Sequence, residues 1–453
     1  MYICSDCIRD PFIEKRIQGE GAEEKCSFCH QRKMVIEFSI LIEWIDEVFR
    51  ENFTPGEDYP FAVEYDQVGD DYRWVLFELF DAEEKVYQAV WDELCSSEFS
   101  FIYDGELPFY EKTTNYVEIE NDFHYHESKW NEIKSILLHT TRFFNHSIIE
   151  FYDELMDGLN HFQQQGESLP IRNIGGKSED VFFFRARKAN SKDEQFKIMK
   201  KPVKELGPPP REKATAGRMN PHGIPVFYGA LSPETCLSEL RLSVGETAVV
   251  GKFRLINDLK VVDFTSLNNI YQRLSYFDPN FYEKASRIGF LRKFDQEISC
   301  PVLPGEEALQ YIPTQVFVEY LFYHFHEKVD GILFTSSQTN GSGVNIVIKK
   351  ESCGLLQDKT EDTVELENIS SDWENRDFVY FKTVADQKSI KKKSSDRRWL
   401  QNFFEDEYAE SVEPNLELNV NEIMLYQCIE NKNEFRNSPI RFIIDDVNSD
   451  GLF

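Results

Sequence analysis

Five side chains in the second half of this chain could share one piece of chemistry. Arg185 ends the aromatic run Phe182-Phe183-Phe184, and Arg218 is presented from the loop Gly217-Arg218-Met219-Asn220-Pro221-His222-Gly223-Ile224-Pro225. Tyr228 closes Val226-Phe227-Tyr228, Glu239 follows Ser232-Pro233-Glu234-Thr235, and Ser336 ends Ile332-Leu333-Phe334-Thr335. A guanidinium stays charged at physiological pH and offers a planar fork of donors, so both arginines suit phosphate. A carboxylate beside a sugar can stabilise positive charge, hold a hydroxyl or orient a nucleophile. The hydroxyls and glycines from Ser336 to Gly343, with Asn345 behind them, suit the polar head of a ligand at a strand end. Each piece also has a plainer reading. Arg185 runs on into Arg187 and Lys188 as a charged surface would, a lone Glu239 would be solvated, and the Ser-Gly segment would serve equally as a hairpin turn.

A second constellation opens the chain: Cys4-x2-Cys7, then eighteen residues, then Cys26-x2-Cys29. Two thiolate pairs can each clip one edge of a tetrahedral ion, and four soft ligands at a closed site favour structural zinc. Gly19 and Gly21 in the spacer are expected to form the turn that brings the pairs together, and His30 is a neighbour of a complete set rather than a fifth ligand. Residues 1–32 carry five Arg or Lys against six Asp or Glu, so a structural or protein-contacting role outweighs nucleic-acid binding. Cys95, Cys236, Cys300, Cys353 and Cys428 are scattered singly, and nine cysteines in this arrangement suit free thiols in a reducing compartment.

These groups sit in 453 residues, a length that implies two or three domains. With 41% hydrophobic and 14% aromatic residues the chain can build real cores. A formal charge of −30 disfavours nucleic acid and anionic membranes as partners. There is neither a long apolar span nor a secretory leader pattern, so a cytoplasmic protein with no membrane partner is expected.

The elements that would position the residues change character midway. Phe38, Leu41, Ile42, Ile45, Val48 and Phe49 make a helical stripe from Val35 to Arg50, and helical spacing returns at 74–80 and 86–94. One long amphipathic helix is expected from Glu127 to Phe162. After the Gly- and Pro-containing stretch 163–180, short runs read as strands: 181–185, 226–228, 248–253, 259–264, 332–334, 345–348 and 440–444. Helices are expected at 233–241, where Ser232 can cap and Pro233 open the first turn, and at 314–328. The one dense basic run, from Lys388 to Arg398, precedes the acidic 405–413 and reads as a solvated loop.

In this order the pieces resemble the RES domain family. They are Phe184-Arg185-Ala186-Arg187, Gly217-Arg218-Met219-Asn220-Pro221 leading to Tyr228, and Ser232-Pro233-Glu234-Thr235 leading to Glu239. Tyr311-Ile312-Pro313-Thr314-Gln315 follows, then Asp330-Gly331-Ile332 leading to Ser336, and Gly343-x-Asn345. The resemblance implies an α+β fold with an ADP-ribosyltransferase-like mixed sheet. It also implies an NAD-consuming enzyme, an NAD glycohydrolase or phosphorylase, or else an ADP-ribosyltransferase. It makes Glu239, Tyr228, Ser336 and Arg185 catalytic candidates, and Arg185, Arg218, Tyr228, Ser336 and Asn345 candidates for binding NAD. The front half resembles a zinc knuckle (residues 1–32) and a helical HEPN-like domain (33–165), ahead of a RES domain with a carboxy-terminal extension (178–453). Arg142-x3-His146 would put both side chains on one helix face, one residue short of the HEPN ribonuclease spacing. A bacterial toxin or defence effector of this kind implies restraint. The candidates are an antitoxin or regulatory protein, the 385–413 segment, and self-pairing into a homo-oligomer through the long helix. A non-enzymatic interaction or nucleic-acid-binding module is the remaining alternative.

Overall fold

The computed structural model describes residues 1–57, 67–98, 108–119, 124–164, 169–175, 180–303, 305–356, 364–366, 383–385, 414–419 and 422–429. The chain divides into two compact units. One is Met1–Arg172 with Gly217–Pro221 and Val262–Val329; the other is Asn173–Ala216 with His222–Val261 and Asp330–Phe453.

The first unit opens on three short strands, with Arg32–Glu37 lying between Tyr2–Cys4 and Ala22–Lys25. The cysteine spacer is not a glycine turn. It is the helix Pro11–Glu20, because Asp10 accepts from the N–H groups of Phe12 and Ile13 and Pro11 opens the first turn. Gly21 follows where the chain must pass close by; a Cβ there would lie 2.4 Å from the Ile17 carbonyl oxygen. The helical stripe expected from Val35 starts at Phe38, since residues 32–37 are committed to the strand.

Helices Phe38–Asn52, Tyr72–Leu79 and Glu84–Glu98 bury an aromatic core in which Tyr72 and Trp91 stack at 4.4 Å. Strands Phe53–Pro55 and Tyr116–Glu118 pair beside them, so this half is not wholly helical. The single helix expected over 127–162 is two, Tyr125–His139 and His146–Met156. Thr140 and Thr141, both β-branched, follow the first, and Asn145 accepts from the Ser147 N–H to start the second. Arg142 and His146 therefore do not share a helix face. Arg142 lies in the connection and donates to the Leu137 carbonyl, while His146 is the first residue of the second helix. Helices Phe281–Ser299 and Ile312–Tyr323 belong to this same unit, packing Phe294 on Trp130 at 5.4 Å and Phe317 on Tyr152 at 5.0 Å.

The second unit is built on a mixed sheet. In spatial order its strands are Gly354–Leu355, Pro414–Leu418, Thr247–Leu255, Phe182–Lys188, Val226–Ala230, Val344–Lys349, Gly331–Thr335, Leu259–Asp263 and Ile171–Ile174. Met424–Gln427 also pairs with Thr247–Leu255. Strand alternation divides the side chains between two faces. Phe183, Phe227, Phe253, Leu333 and Ile346 form one core with Ile198, Met199, Val203 and Leu206 of helices Lys192–Lys200 and Pro202–Leu206. Ala186, Ala230 and Val250 face the other way and pack on Cys236 of helix Pro233–Glu239. The strand expected at 440–444, the basic run 388–398 and the acidic run 405–413 lie outside the described residues.

Candidate functional site

Helix Pro233–Glu239 begins as its sequence dictates, with Ser232 accepting from the Thr235 N–H and proline in the first turn. Glu239 is its last residue and is exposed. Two donors converge on one of its oxygens: Ser336 Oγ donates to Oε1 at 2.6 Å and Asn345 Nδ2 at 2.7 Å. Both donors are buried, Ser336 fully and Asn345 to 6% exposure. Among the described residues no hydrogen bond is made to Oε2. The Ser336 oxygen accepts from the Gln338 N–H at 3.3 Å, which turns the hydroxyl proton toward Glu239. Gln338 Oε1 in turn accepts from Arg241 Nε at 3.1 Å. Gly343 is required by proximity: a Cβ there would fall 2.3 Å from Thr235 Oγ1. Its absence lets the Ser336 loop close onto the glutamate helix.

Strand register places the remaining residues. Phe184 pairs with Ala230, Ala230 with Asn345 and Asn345 with Phe334, so Asn345 points to the face that carries the glutamate helix. Tyr228, two residues before Ala230, shares that face. Arg185 does not. It alternates with Phe184, stands opposite Gly251 and lies 5.1 Å over the Phe227 ring, on the other side of the sheet. The expectation that Arg185 and Glu239 line one pocket is thus not met by the register. Arg185 is 5% exposed and its Nη1 has no hydrogen-bond partner among the described residues. Burial, with Arg187 beside it, pushes the guanidinium down to about 9, still charged at neutrality. A buried cation without a carboxylate favours an anion nearby.

Arg218 belongs to the first unit. Its Nη1 donates to the carbonyls of Ile298 at 3.1 Å and Cys300 at 2.6 Å, where helix Phe281–Ser299 ends. Gln315 Nε2 donates to the Gly217 and Asn220 carbonyls and Thr314 Oγ1 to that of Arg218. The Tyr311–Gln315 motif therefore anchors the glycine-arginine loop.

The four amino-terminal thiols converge, with all Sγ atoms within 4.8 Å of one another. The separations Cys4–Cys7 at 3.7 Å, Cys4–Cys29 at 3.7 Å and Cys7–Cys26 at 3.8 Å match the edges of a tetrahedron. Zinc–thiolate bonds of about 2.3 Å would give edges of about 3.8 Å. Burial raises the Cys26 thiol, but backbone N–H donors at Cys29, Phe28 and Cys4 outweigh it and hold it at about 7. The residues fit a closed, structural zinc site.

Residues 184–367 match the RES domain. This chain carries a RES domain. No curated protein and no solved structure matches it. The RES family is one of NAD-utilising, toxin-like proteins, and Arg185, Arg218, Tyr228, Glu239, Ser336 and Asn345 all lie inside the matched span. Gln338 and Arg241 are the RES-domain residues that sequence reasoning missed. Their only signal was position, each two residues past a motif residue. Among the described residues no helix is long and apolar enough to cross a membrane.

Proposed function

We propose that this RES protein cleaves the nicotinamide–ribose bond of NAD and passes the ADP-ribosyl group to water or phosphate. The carrying observation is Glu239, an exposed residue whose Oε1 is held by two buried donors. As the C1′–N bond breaks, its electron pair leaves with nicotinamide as a neutral amide, and positive charge builds on C1′ and the ring oxygen. Glu239 Oε2 stabilises that charge or holds a ribose hydroxyl, and Ser336 and Asn345 keep the carboxylate from rotating away. Water or phosphate then bonds to C1′ and loses its proton to Glu239 or solvent. Tyr228 is assigned to pack on the nicotinamide or its ribose.

The diphosphate needs a cation. Arg218 is engaged by helix-end carbonyls and Arg185 acts as a buried charge beneath the same strands, so Arg241, held by Gln338, is the candidate beside the trio.

Purified protein incubated with NAD, with and without phosphate, should release nicotinamide, and Glu239→Gln should slow release by about 1000-fold. No turnover by the wild type, or equal turnover in Glu239→Gln, overturns the reading. The exposure of Glu239 also leaves room for a macromolecular acceptor. Labelled NAD leaving a stable adduct on a protein would move the assignment to ADP-ribosyl transfer. A cell-depleting activity of this kind would call for an antitoxin or regulatory protein as partner.

A further inference from the structure

On the sheet face opposite Glu239, the chain reverses its overall charge. Residues 187–213 carry nine Lys or Arg against four Asp or Glu, within a protein of net charge −30. This segment folds as the end of strand Phe182–Lys188, helices Lys192–Lys200 and Pro202–Leu206, and Pro208-Pro209-Pro210 beyond them. Between them lies a cavity of about 380 Å³. Arg187, Lys188, Lys197, Lys204 and Lys213 line it.

The cavity's two carboxylates are already engaged. Glu194 accepts from the backbone N–H groups of Asn190 and Ser191, closing the capping box of its helix, and Glu205 pairs with Lys197 at 3.6 Å. Lys188 is taken by Glu246 at 3.2 Å. Among the described residues no carboxylate pairs with Arg187, Lys204 or Lys213. Arg187 is held in place by its Nε–H donating to the Glu205 carbonyl at 3.3 Å. Arg185, two residues back on the same strand face, does not line the cavity but adds buried positive charge behind it, a 5% exposed guanidinium whose Nη1 has no hydrogen-bond partner among the described residues. Pro209 and Pro210 supply a wall with fixed φ and no N–H groups, so it is rigid and does not compete for the cations' ligand.

We propose that this cavity is a second anion site, one that binds the phosphate groups of a small diphosphate- or oligophosphate-bearing molecule, separate from the glutamate site. The volume lies within the range of small-ligand pockets, about 300–1000 Å³. Arg187, Lys204 and Lys213 together match the charge of a diphosphate, and Arg187, which feels the Glu205 carboxylate but makes no ion pair with it, offers the planar fork that phosphate oxygens favour. Lys204 also lines an adjoining cavity of about 480 Å³ with Lys350, so a longer phosphate chain has room to continue. The proposal does not depend on NAD cleavage.

The test is calorimetric titration of the full chain with inorganic pyrophosphate, using wild type, Lys204→Gln/Lys213→Gln and Glu239→Gln. Tm and circular dichroism of each protein report that it is folded. Wild type and Glu239→Gln should bind pyrophosphate with the same affinity, and the double lysine variant should bind about 10- to 100-fold more weakly. Because the readout is binding, it is independent of whether NAD is turned over. Equal binding by the lysine variant, loss of binding in Glu239→Gln, or no binding by the wild type overturns the proposal. So does binding of single-stranded RNA in place of pyrophosphate.

Discussion

Glu239 is held in place by two other residues. Serine and asparagine from the start and end of one loop converge on a single carboxylate oxygen, and hydrogen bonds to a charged group contribute about 1.5–3 kcal/mol each. Ser336→Ala should leave the fold intact and lower nicotinamide release by about 10- to 100-fold, mostly in kcat, since the carboxylate loses one of its two fixed donors. Gly343→Ala should act in the same direction without touching the carboxylate, because its Cβ would meet Thr235 Oγ1 and lift the loop off the helix. Single-turnover kinetics on both variants checks the pair. A Gly343→Ala protein with wild-type kcat would refute the role assigned to that close approach. The serine, the asparagine and the glutamate were legible in sequence. That the first two bond to the third was not, because they lie about a hundred residues from it, and only pairing of Val344–Lys349 with both Gly331–Thr335 and Val226–Ala230 brings the three together.

At the scale of elements, the first unit holds its helices together partly through one enclosed histidine. His126, 0% exposed, lies on helix Tyr125–His139, with Ser286 of Phe281–Ser299 at 3.1 Å from Nδ1 and Glu154 of His146–Met156 at 2.8 Å from Nε2. Burial first, then Arg287, pushes the ring down to about 4. Glu283 works against that, and Glu154 at the ring edge also favours the charged form; with the ring wholly enclosed, burial dominates. The sign follows from linkage. A histidine with a depressed folded pKa contributes stability above its unfolded value near 6.5, and loses it as pH falls toward about 4. Up to about 3 kcal/mol is at stake over that window. Tm measured from pH 7 to 4 should therefore fall more steeply for wild type than for His126→Gln, and parallel curves would exclude the effect. Sequence periodicity had fused this helix with the next. Their apolar faces are nearly in phase, so the stripe hides the break that the threonine pair and the Asn145 cap impose.

For the whole molecule, the match to the RES domain runs over 184–367, yet residues 262–329 of that span cluster with residues 1–172. Helices Phe281–Ser299 and Ile312–Tyr323 complete the aromatic core begun by Trp130, Phe151 and Tyr152. A chain starting at residue 170 would expose that core. It should therefore be poorly soluble, or melt well below the full-length protein; thermal unfolding of the two side by side decides this. A truncated protein of undiminished Tm would mean the downstream helices need no such partner. Removing the front half is thus a test of stability before it is a test of autoinhibition.

What the sequence determined by itself was local. Ligand type and spacing at the cysteines, the cap and proline that start the glutamate helix, the apolar runs that become strands, and the identity of the motif residues are all short-range properties of the chain. Tertiary structure decided which of them meet. Strand alternation and register set Asn345 toward Glu239 and turn Arg185 to the opposite face. Helix-end carbonyls claim Arg218, and packing joins late helices to an early core. The physical reason is the same in each case: a side chain's direction depends on a two-residue period that motif spacing does not report. Its partners depend on pairings between strands far apart in the chain, which no local pattern encodes.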